Sequence, residues 1–283
     1  MKLCDLHTHT TASDGSDSPE ELIRLSRETG LSAVSITDHD TTAGLARGAE
    51  AAGELGVEFI PGIELSVAFP QGNMHLLGYF IDENSPALKE VLIRVQSARA
   101  ERNPRILDRL NELGLPISME ELEEMAQGGQ IGRPHIARIM VEKGFVKSVG
   151  QAFDKYLKKG GPAYAPKSIL GPADAINTVR KSGGIPVLAH PFSLMTRDGR
   201  ELEDIILDLK SQGLMGMECW YSEHDEHFTA LCLDICRRNR LVATGGSDYH
   251  GKAKPYIHLG TGKGNLRIPY SCVEALKAAR DAL

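Results

Sequence analysis

A chain of 283 residues, 41% of them hydrophobic, is long enough for one large α/β domain or for a domain carrying an insertion. Its 32 Lys and Arg against 38 Asp and Glu give a net charge of −6, which argues against a basic surface for long nucleic acid. It has neither the roughly eighteen-residue apolar run of a membrane span nor a basic-then-apolar leader, and its five cysteines lack C-x-x-C spacing, so a cytoplasmic protein with reduced thiols is expected.

Leu3 to Leu6 read as a short apolar strand, with His7, His9 and Asp14 following it. Ser18-Pro19-Glu20-Glu21 reads as a capped helix start, and Gly30 as its end. Ser32 to Thr37 is a second strand ending in Asp38-His39-Asp40, and a helix is expected from about Thr42 to Leu55. A third strand, Val57 to Ile60, leads through Pro61-Gly62 to Ile63-Glu64-Leu65-Ser66, and a fourth, Met74 to Ile81, carries His75 near its start. The alternation then gives way to helices. One covers about Ala87 to Leu113, broken or kinked near Asn103-Pro104, and others cover Ser118 to Ala126, Pro134 to Lys143 and Ser148 to Leu157. Helix 172–181, strand 185–189 ending in His190-Pro191, helix 201–212, strand 216–220, helix 225–239 and strand 241–244 restore the alternation. The last strand leads to Ser247-Asp248-Tyr249-His250, and a helix from about Ser271 closes the chain. Repeated βα units imply parallel strands, closed or open, with function at their carboxyl ends.

Candidate ligands fall at those ends: His7, His9, His39, Glu64, His190, Asp248 and His250, with Asp14 in the first loop and His75 on the fourth strand. H-x-H alone is weak, because two polar residues at a strand end need no ion. Clusters at several strand ends are hard to explain by packing, since buried histidines rarely gather without a shared partner. Imidazole and carboxylate together suit Mn²⁺, Fe²⁺ or Zn²⁺, and two or three such ions suit hydrolysis of a phosphate ester, whose charge repels a simple nucleophile. Other features stay structural. His224 and His227 read as a solvated helix start, Tyr221 and Ser222 as pocket lining, and Gly260 to Gly264 as a turn, because it lacks the spacing of a phosphate loop; His258 has no evident partner. No Ser-His-Asp or Cys-His nucleophile motif is present.

His7-Thr8-His9-Thr10, Thr37-Asp38-His39-Asp40, Gly62-Ile63-Glu64, Ala189-His190-Pro191 and Ser247-Asp248-Tyr249-His250 resemble the motifs of the PHP family, the polymerase and histidinol phosphatase domains. The resemblance implies a distorted (β/α)7 barrel with two or three divalent cations, Mn²⁺ foremost. It assigns His7, His9, Glu64 and Asp248 to one ion, Asp14, His39 and His250 to a second, and Glu64, His75 and His190 to a third, with Glu64 bridging. Residues 1–98 and 167–283 would form the barrel and 99–166 a small helical domain covering the active site. That insertion is similar to one in phosphatases of 3′,5′-nucleoside bisphosphates, whose relatives also trim short RNA from the 5′ end. The matching pieces, Arg99-Ala100-Glu101-Arg102-Asn103 and Gly132-Arg133-Pro134-His135-Ile136-Ala137-Arg138, imply Arg99, Arg102, Asn103, Arg133 and His135 as substrate contacts, with Arg138 the weakest case. Arg99 and Arg102 can share a helix face and offer guanidinium forks to a phosphate that is bound but not cleaved.

The expected activity is therefore conversion of a 3′,5′-nucleoside bisphosphate to a 5′-mononucleotide, with ion-activated water as nucleophile. Asp40 or His250 would assist the leaving group, and Asp40 would also touch substrate. Alternatives are histidinol-phosphate phosphatase, a 5′-to-3′ exonuclease on short RNA, and a metal-binding scaffold without activity. The expected partner is a small nucleotide phosphate or short oligoribonucleotide, with no membrane, long duplex or protein partner evident.

Overall fold

A computed structural model of the chain describes residues 2–70, 72–166 and 170–283. Seven strands follow one another around a single sheet in chain order. They are β1 (Cys4–Asp5), β2 (Ala33–Ile36), β3 (Glu58–Val67), β4 (Met74–Tyr79), β5 (Ile185–Leu188), β6 (Gly216–Tyr221) and β7 (Val242–Gly246). The ends of the sheet meet: the Leu6 amide donates to Gly245 O at 3.2 Å and the His9 amide to Tyr249 O at 2.9 Å, giving a nearly closed barrel.

Around it lie α1 (Pro19–Glu28), α2 (Leu45–Leu55), α3 (Pro86–Glu112), α4 (Met119–Ala126), α5 (Arg133–Glu142), α6 (Val149–Ala152), α7 (Pro172–Lys181), α8 (Gly199–Ser211), α9 (Glu226–Arg238) and α10 (Ser271–Asp281). Ser18 and Glu21 form the expected capping box on α1. Ser18→Ala should cost about 1 kcal/mol and lower Tm by about 2–4 °C, read by thermal denaturation. Helix α2 starts three residues later than expected, after Gly44 as N-cap, and ends on left-handed Gly56 (φ 66°). The 148–157 helix is four α residues followed by a π-helical turn, Phe153–Leu157. Among the described residues no helix is long and apolar enough to cross a membrane.

Two expectations are corrected. The 57–60 and 63–66 segments are one strand running through Pro61, which lies where β3 turns from β2 to β4. And the strands are not all parallel, because β4 runs antiparallel to both β3 and β5. Only residues 68–73 separate β3 from β4, too few for a parallel crossover. The reversal has a chemical consequence. His75 pairs with Ser66 beside Glu64, so the start of β4 lies at the same barrel mouth as the ends of the other strands.

Strand alternation sorts the side chains. Ala33, Ile60, Leu77, Tyr79, Ile185 and Val187 pack together inside the barrel, closed at one end by Cys272, Val273 and Leu276 of α10. Intervening residues such as Val34, Ile36, Ile63, Leu65, Leu76, Leu188 and Met217 pack outward on the helices. The interior residue parity that gives Ile60 and Leu77 continues to Glu64 and His75, so one face is apolar at its base and ligand-bearing at its mouth. Helix α3 is continuous through Pro104 rather than broken there. Its first half, with Leu88, Leu92 and Val95, belongs to the barrel's outer core. Its second half, with Ile106, Leu107 and Leu110, joins Leu122, Ile136, Met140 and Leu157 in a separate helical core. Lys167, where the barrel was expected to resume, lies outside the described residues.

Candidate metal centre

At the barrel mouth the structure brings all nine expected ligands together, in four overlapping groups whose ligand atoms lie within 4.8 Å of one another: His9, Asp14, His39 and His250; His7, His9 and Asp248; His7, Glu64 and His190; His39, Glu64 and His75. Glu64 is the hub. Its Oε2 is 3.2 Å from His7 Nε2, 3.2 Å from His9 Nε2 and 3.0 Å from His39 Nδ1. Its Oε1 is 2.8 Å from His75 Nδ1 and 3.0 Å from His190 Nε2. Asp248 Oδ1 is 3.2 Å from His9 Nε2, and Asp14 Oδ1 is 3.3 Å from His250 Nε2. Atoms bound at about 2.0–2.2 Å to a common ion stand about 3 Å apart, which is the spacing found.

The donor set fits divalent cations. His7 Nε2, His9 Nε2, His39 Nδ1 and Glu64 Oε2 are buried, yet none makes a hydrogen bond of acceptable geometry among the described residues. Buried polar atoms are ordinarily satisfied, so a convergent set of unsatisfied ones calls for a partner. Burial pushes the Glu64 carboxyl up, but His39, His7 and His75 outweigh it and hold it well below the ordinary range. Asp14 is held low in the same way by His250 and His39, and Asp248 by Lys254 and His250. Burial drives His39 down to about 3, while His9, against its own burial, is drawn up to about 9 by Asp248 and Glu64. Ionised acids beside a neutral imidazole are ligands ready for a cation, and a cation at His9 would displace its proton.

Further buried and half-buried groups hold these ligands in place. Asp5 accepts from the Ser247 amide at 2.9 Å and from the Gly260 amide at 2.7 Å, tying β1 to the Asp248 loop. Asp38 accepts from the Thr10 amide and Ser13 Oγ, fixing the loop that carries Asp14. Tyr221 and Lys254 both bind Asp248 Oδ2, at 3.0 and 2.6 Å, leaving Oδ1 to the histidines. Glu218 accepts from His7 and from the His190 amide. Asp40, His190 and Asp248 adopt left-handed φ values of 53°, 25° and 59°, strain that such contacts maintain. A Cβ on Gly246 would stand 2.1 Å from His7 Cβ, so only glycine lets β7 approach the first ligand.

The expected substrate contacts line the helical side of this mouth. Arg99 makes a two-pronged ion pair with Asp40, whose other oxygen accepts from the Ser66 amide at 2.8 Å; both side chains are buried. Asp40, expected to touch substrate and assist the leaving group, is thus fully enclosed. Arg102 is 3% exposed, with Asn103 Oδ1 as its hydrogen-bond partner and no ion pair to a carboxylate among the described residues. Burial, and the nearby Arg99 and Arg133, push its pKa down to about 9. Arg133 lies against the Phe153 and Tyr164 rings. His135 is 2% exposed and accepts from the Gly132 amide at 3.1 Å. A cavity of about 230 Å³ abuts Asp14, His39 and His250 and is walled by Pro134, Arg138, Val149, Phe153, Ala253 and Lys254, so Arg138 faces the site. His224 is corrected from solvated to buried: its Nδ1 lies 2.9 Å from Cys219 O and its ring packs on Tyr221 and Phe228. His227 and His258 are exposed.

The PHP domain profile matches residues 5–163, more than half of the chain. The chain belongs to the PHP domain family. Among its PHP relatives, the 5′-3′ exoribonuclease Rnm of Escherichia coli is 34% identical over 260 residues, covering 90% of this chain and 87% of that one. A 3′,5′-nucleoside bisphosphate phosphatase of Chromobacterium violaceum is 35% identical, covering 88% of each chain. A phosphoribosyl 1,2-cyclic phosphate 1,2-diphosphodiesterase of Eggerthella lenta is 34% identical, covering 94% of this chain and 98% of that one. A solved structure from Bifidobacterium adolescentis, assigned to the metal-dependent phosphoesterases, superposes with a TM-score of 0.88 at 31% identity over 99% of this chain and 96% of its own. This PHP chain is accordingly a phosphoesterase with a cluster able to hold metal ions.

Proposed function

We propose that the protein hydrolyses the 3′-phosphate of a 3′,5′-nucleoside bisphosphate, giving the 5′-mononucleotide and inorganic phosphate, with Mn²⁺ as the working ion. The observation that carries this reading is Arg102. A buried guanidinium with Arg99 and Arg133 nearby and, among the described residues, no carboxylate paired to it favours an incoming anion. A phosphate that is held rather than cleaved meets that need, and a mononucleotide or histidinol phosphate has none to offer.

In this reading His7, His9, Glu64 and Asp248 hold one ion, Asp14, His39 and His250 a second, and Glu64, His75 and His190 a third. When bound, the ions activate water and neutralise charge on the phosphoryl group. The chain's own residues position the substrate. Arg102 and Arg133 take the 5′-phosphate, Phe153 and Pro134 offer apolar surface to the nucleoside, and Arg138 and Lys254 face the anionic end. Asp40 serves as the anchor of Arg99 rather than as a proton donor, since its carboxylate is already engaged on both oxygens. Residues 99–166 act as the cover, tied to the barrel through Arg99 and through the Gln130 amide, which donates to Ala12 O at 2.8 Å.

A substrate panel with Mn²⁺ tests this. Phosphate release from adenosine 3′,5′-bisphosphate should far outpace release from adenosine 5′-monophosphate or histidinol phosphate, and the reverse order refutes the assignment. Arg102→Ala should raise KM for the bisphosphate at least about tenfold, the loss of one charge-assisted pair, and leave an aryl phosphate nearly unchanged. Short 5′-phosphorylated RNA belongs in the panel as the second reading, since the same two anchors would hold its terminal nucleotide.

A further inference from the structure

We infer that Glu218 is a positioning residue that couples two separate ligands of the metal centre, fixing the tautomer of His7 and the backbone of His190. It belongs to none of the ligand groups. It is fully buried in β6, with both oxygens engaged: Oε1 is 3.0 Å from His7 Nδ1, and Oε2 accepts from the His190 amide at 2.8 Å. The two contacts reach out from β6 to the ends of β1 and β5.

Each contact decides something. A carboxylate oxygen only accepts, so His7 must carry a proton on Nδ1 toward Glu218. Its Nε2 then presents a lone pair to the cluster, where it lies 3.2 Å from Glu64 Oε2 and 3.6 Å from Asp248 Oδ1. His190 sits at φ 25°, ψ 67°, a conformation that a non-glycine residue holds only under restraint. Glu218 restrains its amide, while Ser193 Oγ, 2.9 Å from Nδ1, restrains its ring. The strand itself is adapted to this. The β6–β7 register slips between Glu218 and Trp220, leaving Cys219 as an extra residue, and a bulge of this kind re-aims neighbouring side chains. Parity on β6 would otherwise pass without effect, since Glu218 is the one acid between Gly216 and Tyr221.

Glu218→Gln separates these requirements while keeping the volume. The amide offers one acceptor and one donor, whereas His7 Nδ1–H and the His190 N–H both need acceptors. If the amide nitrogen faces His7, the imidazole must shift its proton to Nε2 and loses its lone pair toward the cluster. If it faces His190, the strained backbone loses its restraint. Either way one ligand is displaced.

The inference rests on reading the cluster as an ion site, and the test separates the two. Metal-free protein is titrated with Mn²⁺ by calorimetry, and bound ions are counted by elemental analysis. Glu218→Gln should bind at least one ion about 10–100-fold more weakly than wild type, the usual effect of removing a group behind a metal-bound histidine. A folded variant with unchanged stoichiometry and affinity overturns the inference. Wild-type protein that takes up no Mn²⁺ instead overturns the metal-centre reading. Should the variant fail to fold, nitrogen NMR of wild-type protein loaded with diamagnetic Cd²⁺ decides. His7 should be protonated on Nδ1 with slow solvent exchange, and protonation on Nε2 refutes the role of Glu218. The substrate panel uses wild-type protein and is independent of both readouts.

Discussion

Glu64→Gln is expected to abolish hydrolysis and strip the centre of its ions. The side chain keeps its shape but loses the charge that five imidazoles converge on: His7, His9, His39, His75 and His190 all have a ring nitrogen within 3.2 Å of a Glu64 oxygen. No other acid in the cluster is shared so widely; Asp14 serves only the His9, His39 and His250 side, and Asp248 the His7 and His9 side. Loss of Glu64 therefore weakens several ion positions at once. Ion charge stabilises the transition state by several kcal/mol, and each 1.36 kcal/mol is a factor of ten, so a fall in kcat/KM of at least about a thousandfold is expected. The comparison that checks it is chelated wild type. Wild-type protein treated with chelator should fall to the same level and recover with Mn²⁺, while Glu64→Gln should not recover. Retained turnover with full metal content in the variant would remove Glu64 from the centre.

Most of the ligands were legible because they follow an apolar run at an abrupt change of polarity, as in Ser-Ile-Thr-Asp38-His39. A run of that kind identifies a strand end without its neighbours. The direction of β4 was less so: His75 stands at the start of its strand, and only the short connection at 68–73 hints that the strand is reversed. Glu218 and Asp5 were invisible for a different reason. Each is a single acid in a short apolar strand, and alternation alone would let it face solvent; closure of the sheet makes the face of Glu218 interior, and the Ser247 and Gly260 amides enclose Asp5 on the opposite face. His224 misled through its neighbours, since Glu223, Asp225 and Glu226 look like a solvated stretch, yet the ring turns inward onto Cys219 O. Arg99 and Arg102 were both expected as phosphate contacts from the resemblance of the 99–103 segment to that of the bisphosphate phosphatases, with a spacing that lets them share a helix face. Spacing gives the face, but it does not say that one of them already has a buried carboxylate.

That difference yields the largest stability effect. Arg99→Ala should lower folding stability by about 3–5 kcal/mol, because it removes a guanidinium paired directly with the buried Asp40 carboxylate. Asp40 is fully enclosed and strained at φ 53°, and its position also depends on the Glu64 carbonyl, which accepts from the Asp40 amide at 2.9 Å. Arg99→Lys should rescue poorly, since Arg99 Nε and Nη2 both reach the Asp40 carboxylate and an ammonium cannot reproduce that fork. Arg99→Met combined with Asp40→Asn should recover most of the loss, so the pair should be strongly non-additive in a double-mutant cycle read by denaturant unfolding. Arg102→Ala should behave oppositely. Its charged form is disfavoured on folding, as its lowered pKa indicates, so truncation removes an unfavourable burial and should leave stability level or raised while KM for the bisphosphate climbs. The sign follows from linkage: a cation whose pKa falls to about 9 on folding opposes folding below that pH, and the opposition fades as pH rises above it. Two arginines three residues apart on α3 should thus separate cleanly, one holding the cover to the barrel and the other waiting for phosphate. Equal losses of stability in the two single variants would contradict that division.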